Sequence, residues 1–151
     1  TSTTTLKIVG DLMNYGTSVR NIYKHTFSDK SYDALKNWGS ILQSVSYERD
    51  IGISYASIPF EKFVEYGGGM EFFEGLANII NMPPDVKFSL LLVEYKPEVI
   101  KGSLRSEPFK EFDVSKVARE LGGGGHKYAA GFENKGKLND VLENVKRIAV
   151  G

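Results

Sequence analysis

The chain contains no cysteine. Disulfides and thiolate metal sites are therefore excluded, and the absence fits a cytoplasmic protein. Histidine is almost as scarce, with only His25 and His126. The two lie far apart, and no Asp/His cluster surrounds either, so the usual pattern of a metal-held hydrolytic centre is missing. The sequence also lacks HExxH, DxD near a histidine, and GxSxG. Asp29 and Asp33 stand in a helical, capping context and read as structural. No apolar run is long enough to cross a bilayer, and nothing at the start reads as a signal peptide. These absences favour a ligand-binding module over a complete catalyst.

What is present is the ordinary material of a folded domain. The chain has 151 residues, 41% hydrophobic and 25% charged, enough for one domain with a real core. The formal net charge is zero but unevenly spread. Residues 1–44 hold five basic and three acidic side chains, a balance of +2. Residues 45–95 hold three and eight, or −5, and residues 96–151 hold eleven and eight, or +3. The acidic middle reads as solvated surface. The basic excess falls on the last segment, where it suits either an anion or plain surface.

The hydrophobic pattern changes period along the chain. Leu6, Val9 and Met13 recur at helical spacing, with Ser/Thr before them and Gly16 after. Val19, Ile22 and Tyr23 suggest a short second helix. Leu35, Trp38, Leu42 and Val45 mark the clearest one, widened by Ala34 and Ile41. From residue 51 the period becomes two: Ile51, Ile53 and Tyr55 share one face of a half-buried strand. Residues 70–82 read as one helix through Met70, Phe73, Ala77 and Ile80, ended by Pro83 and Pro84. "VKFSLLLVEY" is apolar on both faces, as in a central strand. "VIKGSLRS" pairs with it, with Ile100 and Leu104 on one face and Lys101, Ser103 and Arg105 on the other. "DVSKVARELG" is a helix capped by Asp113 or Ser115. "YAAGFE" is a further strand, and Leu138, Val141, Leu142, Val145 and Ile148 line a closing amphipathic helix. The expected fold is α/β: an N-terminal helical segment, then a mixed sheet with flanking helices.

The stretch "GGGGHKYAAGF", Gly122 to Phe132, stands out. Gly122 follows the last apolar position of a helix, where a left-handed cap belongs. Gly123, Gly124 and Gly125 need another reason. Consecutive glycine N–H groups can turn inward as an anion nest, and a ligand can approach without meeting a Cβ. His126 and Lys127 add donors, and Arg105 supplies a planar fork suited to phosphate. The bland alternative is a flexible loop, with His126 on the surface and Arg105 a solvated strand residue. P-loop and dinucleotide fingerprints do not fit, because His126 and Lys127 occupy positions those motifs need for other residues. Trp38, Tyr23, Phe27 and Tyr32 suit base stacking or helix packing, and their helical spacing favours packing.

Together, "GSLRS", "FDVSKVARELG" and "GGGGHKYAAGF" resemble the DHH-associated C-terminal domain of DHH-family phosphoesterases in order and spacing. The resemblance covers residues 86–151 well. "TTTLKIVGDLMNYGTSVRNIY" is more loosely similar to the helices that end the family's catalytic domain, and "EGLANIINM" to the helix before the central strand. The likeness implies residues 1–47 as the helical tail of an N-terminal DHH domain and residues 48–151 as a substrate-binding domain. Relatives such as nanoRNase (an oligoribonuclease) and the RecJ-type exonucleases hydrolyse phosphoesters of short oligonucleotides, single-stranded DNA or nucleotides. They use two metal ions, usually manganese, on Asp and His ligands of the DHH domain. Carried to this chain, the likeness implies that Gly123, Gly124, Gly125, His126 and Lys127 hold a phosphate or terminal nucleotide. Arg105, with Ser103 or Ser106, holds another phosphate or the sugar edge. The naming Asp-His-His motif does not occur here, so no catalytic or metal-binding residue is assigned. The expectation is a C-terminal part of a phosphoesterase, with its own DHH domain and a nucleotide or short oligonucleotide as partners and no membrane. Apolar stripes on the N-terminal helices leave a homodimer open. The alternative is a stand-alone nucleotide- or nucleic-acid-binding module without catalysis.

Overall fold

The computed structural model describes residues 3–21 and 31–151. Along the chain its helices and strands are α1 (Thr3–Asn14), α2 (Tyr32–Gln43), β1 (Ser46–Glu48), β2 (Ile53–Ile58), α3 (Phe60–Glu65), α4 (Leu76–Ile80), β3 (Phe88–Lys96), β4 (Val99–Arg105), α5 (Val114–Glu120), β5 (Gly124–His126), β6 (Ala129–Lys135) and α6 (Leu138–Val150). Short 3-10 turns occupy Met70–Phe73 and Pro108–Lys110. The chain divides into two compact units, Thr1–Leu35 and Lys36–Gly151. In the first unit α1 buries no side chain, and Leu6 and Met13 are exposed. Ile22, Tyr23, His25, Phe27 and Asp29 lie outside the described residues. Among the described residues no helix is long and apolar enough to cross a membrane.

The second unit is built on one six-stranded sheet of order β1-β2-β3-β4-β6-β5. Only the β2–β3 pair is parallel. α3 and α4 lie within the connection that a parallel pair requires. The apolar run of β3 takes a central place, and Phe88 to Val93 are all buried.

Helices cover both faces of the sheet, as alternation in β3 and β4 demands. On one face Leu90, Leu92, Ile100 and Leu104 pack against Val114, Val117, Val141 and Val145 of α5 and α6. Phe88 stacks on Phe112 with ring centroids 4.3 Å apart. On the other face Leu91 and Val93 meet Phe63, Phe73, Leu76, Ile80 and Ile41. Each fully buried aliphatic side chain contributes about 1.5–3 kcal/mol. Trp38 joins the second cluster, and its indole N–H donates to the Phe72 carbonyl at 2.8 Å. That contact assigns Trp38 to packing. Lys146 on α6 ties back to β1 through an ion pair with Glu48 and lies over the Tyr55 ring.

Four local features differ from the sequence pattern. β2 is covered on both faces: Ile53 and Tyr55 join the first cluster, Ala56 and Ile58 the second. Its short polar residues, Ser54 and Ser57, made it look half-solvated. Residues 70–82 are not one helix, because Gly75 sits at φ 89° and separates the Met70–Phe73 turn from α4. The short elements α3 and β1 leave too little periodicity to be read from the residues. The end of the glycine run is not a flexible loop. Gly124–His126 is a strand, paired edge-on with β6.

Candidate functional site

Beyond the helices that cover Leu91 and Val93, the same face of the sheet continues over β4, β6 and β5. A groove of about 650 Å³ opens there. Its floor is the polar face of β4 with the matching residues of β6. The register fixes three rows across it: Arg105 beside Ala129, Ser103 beside Gly131, and Lys101 beside Glu133. Gly124 extends the middle row from β5. Met70, Phe73, Gly75 and Asn78 form the wall where α4 begins.

α5 and its cap set the height of the glycine edge. Asp113 caps the helix, accepting from the Ser115 N–H at 3.0 Å and from its hydroxyl at 2.6 Å. That bonding holds the Asp113 carboxyl below the usual aspartate range. At the far end Gly122, at φ 76°, closes a Schellman motif. Its N–H donates to the Arg119 carbonyl at 3.0 Å and that of Gly123 to Ala118 at 2.8 Å. The chain then enters β5 against β6 at very short range. A Cβ on Gly123 would stand 2.2 Å from the Gly131 carbonyl oxygen, and one on Gly125 2.6 Å from that of Ala129. Gly124 differs: a Cβ there would meet nothing within 4 Å. The fold thus accounts for Gly122, Gly123 and Gly125. Only Gly124 has no internal reason to lack a side chain, and it borders the groove.

Of the two cations on the floor, Lys101 and Arg105, Arg105 is the less exposed. It is half-buried, and one guanidinium N–H donates to the Leu104 carbonyl at 2.8 Å. Burial lowers its pKa, yet a guanidinium remains charged. Among the described residues no carboxylate forms an ion pair with it. A half-buried charge without a counter-ion is costly, and an anionic ligand would relieve that cost.

The expected site residues therefore separate. Arg105, Ser103, Gly123, Gly124 and Gly125 come together around the groove. Ser106 does not line it. Ser106 is buried and its hydroxyl donates to the Lys87 carbonyl at 2.8 Å, tying β4 to the start of β3. His126 is exposed at the end of β5. The Lys127 ammonium lies 5.3 Å from the Tyr128 ring centroid, and its carbonyl accepts from Val114 at 3.0 Å. Neither lines the groove. Lys101, Gly131 and Glu133 also line the groove, beyond the residues that the motifs single out. Lys101 was discoverable, since alternation already placed it on the face of Arg105.

The DHHA1 domain family matches residues 62–151. No curated protein matches the chain. Among solved structures, an exopolyphosphatase-related protein from Bacteroides fragilis aligns with a TM-score of 0.86 and 26% identity, over 99% of this chain and 43% of that one. The chain thus spans less than half the length of that protein. A pGpG-specific phosphodiesterase, PggH, from Vibrio cholerae aligns at a TM-score of 0.48 and 12% identity, over 78% of this chain and 39% of that one.

Proposed function

The chain belongs to the DHHA1 domain family, and from that premise we propose that it is the substrate-holding half of a DHH phosphoesterase. In this reading its groove grips the phosphate-bearing end of a nucleotide or short single-stranded oligonucleotide. The observation that carries the proposal is Arg105: half-buried, with no carboxylate partner among the described residues, and facing a groove whose middle row is Ser103, Gly131 and Gly124. The guanidinium offers a fork of N–H donors to phosphate oxygens. Ser103 adds a hydroxyl donor. The absent side chains of Gly124 and Gly131 let a flat sugar or base lie close to the backbone.

Cleavage itself is assigned to a DHH domain carrying a pair of manganese ions. Among the described residues no three His, Cys, Asp or Glu side chains come together to hold a metal ion. The described residues thus do not fit that role. Their part is to bind and orient the phosphoester.

Isothermal titration with a 5′-phosphorylated dinucleotide tests the proposal. Measurable binding is expected, weakening as salt rises and falling at least tenfold in Arg105→Ala. Unchanged affinity in that variant would contradict it. A His126→Ala arm decides whether the edge histidine takes part: a loss there brings His126 into the grip, and no loss leaves the ligand to the groove floor.

A further inference from the structure

The wall of the groove is held by side chains from other elements. It runs from Met70 to Asn78 as two short pieces, the Met70–Phe73 turn and the start of α4, separated by Gly75 at φ 89°. Helical pieces this short do not sustain themselves in water. Two distant donors reach their carbonyls. From β3, the hydroxyl of fully buried Ser89 donates to the Ala77 carbonyl at 2.6 Å. Ser89 is also the cross-strand neighbour of Arg105, so this bond ties α4 to the floor. From α2, the Trp38 indole N–H donates to the Phe72 carbonyl at 2.8 Å. The Trp38 ring also lies against Gly75, where a Cβ would stand 3.5 Å from Cη2. Trp38 itself does not line the groove.

Resting on the groove reading above, we infer that Trp38 is a positioning residue whose indole fixes the Met70–Gly75 wall in the place a ligand needs. Met70, Phe73, Glu74 and Gly75 then give the groove a preformed side. Loss of the indole N–H takes that donor from the Phe72 carbonyl. Gly75 is then less restrained, and a glycine has many backbone angles open to it. The ligand must select the conformers whose wall is in place, so its affinity falls with their population. The effect reaches the ligand through Phe72 and Gly75, with no contact from Trp38.

Trp38 is the only tryptophan in the chain, so its indole N–H can be followed by itself in a nitrogen–proton spectrum. Saturating the unmodified chain with a 5′-phosphorylated dinucleotide is expected to shift that resonance and to slow its exchange with solvent. Trp38→Phe keeps an aromatic ring and removes the donor. It is expected to weaken the dinucleotide about fivefold in isothermal titration. Val145→Ala serves as the control, because Val145 is fully buried in the core on the other face of the sheet. That variant loses stability but is expected to keep its affinity within about twofold, since destabilisation alone does not move the wall. An indole resonance that stays in place at saturation, an unchanged affinity in Trp38→Phe, or an equal loss in Val145→Ala overturns the role of Trp38 while the groove stands. Failure of the unmodified chain to bind the dinucleotide overturns the groove reading and this inference with it.

Discussion

On the sheet face that carries Leu91 and Val93, the half over β2 and β3 is sealed by Phe73, Leu76 and Ile80, whereas the half over β4 and β6 stays open above Ser103, Arg105 and Gly131. The strands run in steady register through both halves, apart from a bulge between Glu94 and Lys96 of β3. The difference lies in which side chains the alternation delivers: large and apolar in β3, small or charged in β4 and β6. A sheet face left uncovered by its helices is normally a liability. In the proposed function the missing bulk makes a floor for a ligand, and the charge that remains is what selects it.

The comparison can be broken most severely from the sealed side of β4. Leu104 is fully buried beneath α5, so Leu104→Ala should cost about 2–5 kcal/mol in chemical denaturation. Gly123→Ala forces a methyl against the Gly131 carbonyl. It should cost about 1–3 kcal/mol, seen as a lower melting temperature. Gly124→Ala sharpens the contrast. It has open space, so stability should stay within about 0.5 kcal/mol, while titration should show weaker ligand binding. If the two alanines behaved alike in stability, the division between structural and site glycines would be wrong.

Asp113→Ala should cost about 1 kcal/mol from loss of the helix cap. Its pH dependence has a definite sign. The folded pKa is lowered, so the cap's contribution is complete above the ordinary aspartate value of 3.8 and is lost as pH falls through the depressed one. Acid denaturation curves of the two proteins should therefore converge below that value.

Much of this was legible in the residues. Strict alternation in β4 put Ile100 and Leu104 opposite Lys101, Ser103 and Arg105, and the structure buries the first two and leaves the others at the groove. Gly122 announced its cap because it follows Leu121, the last apolar position of its helix. The roles of Gly123 and Gly125 were not legible, since they answer to Gly131, Ala129 and Ala130, which only strand pairing brings near. Ser106 shows the same limit. Its hydroxyl looked like a neighbour for Arg105, but the partner is Lys87, nineteen residues away in sequence. Local pattern reports which face a residue takes, and long-range pairing decides what it meets there.

Amide chemical-shift mapping tests most directly whether the open half of this face is where phosphate binds. Titrating the chain with a nucleoside 5′-monophosphate should move the amides of Ser103, Arg105, Gly124 and Gly131 together, along with the Arg105 side-chain N–H. Shifts that spare these residues, and gather instead around Ser40, Ser57 and Lys62 on the sealed half, would contradict it.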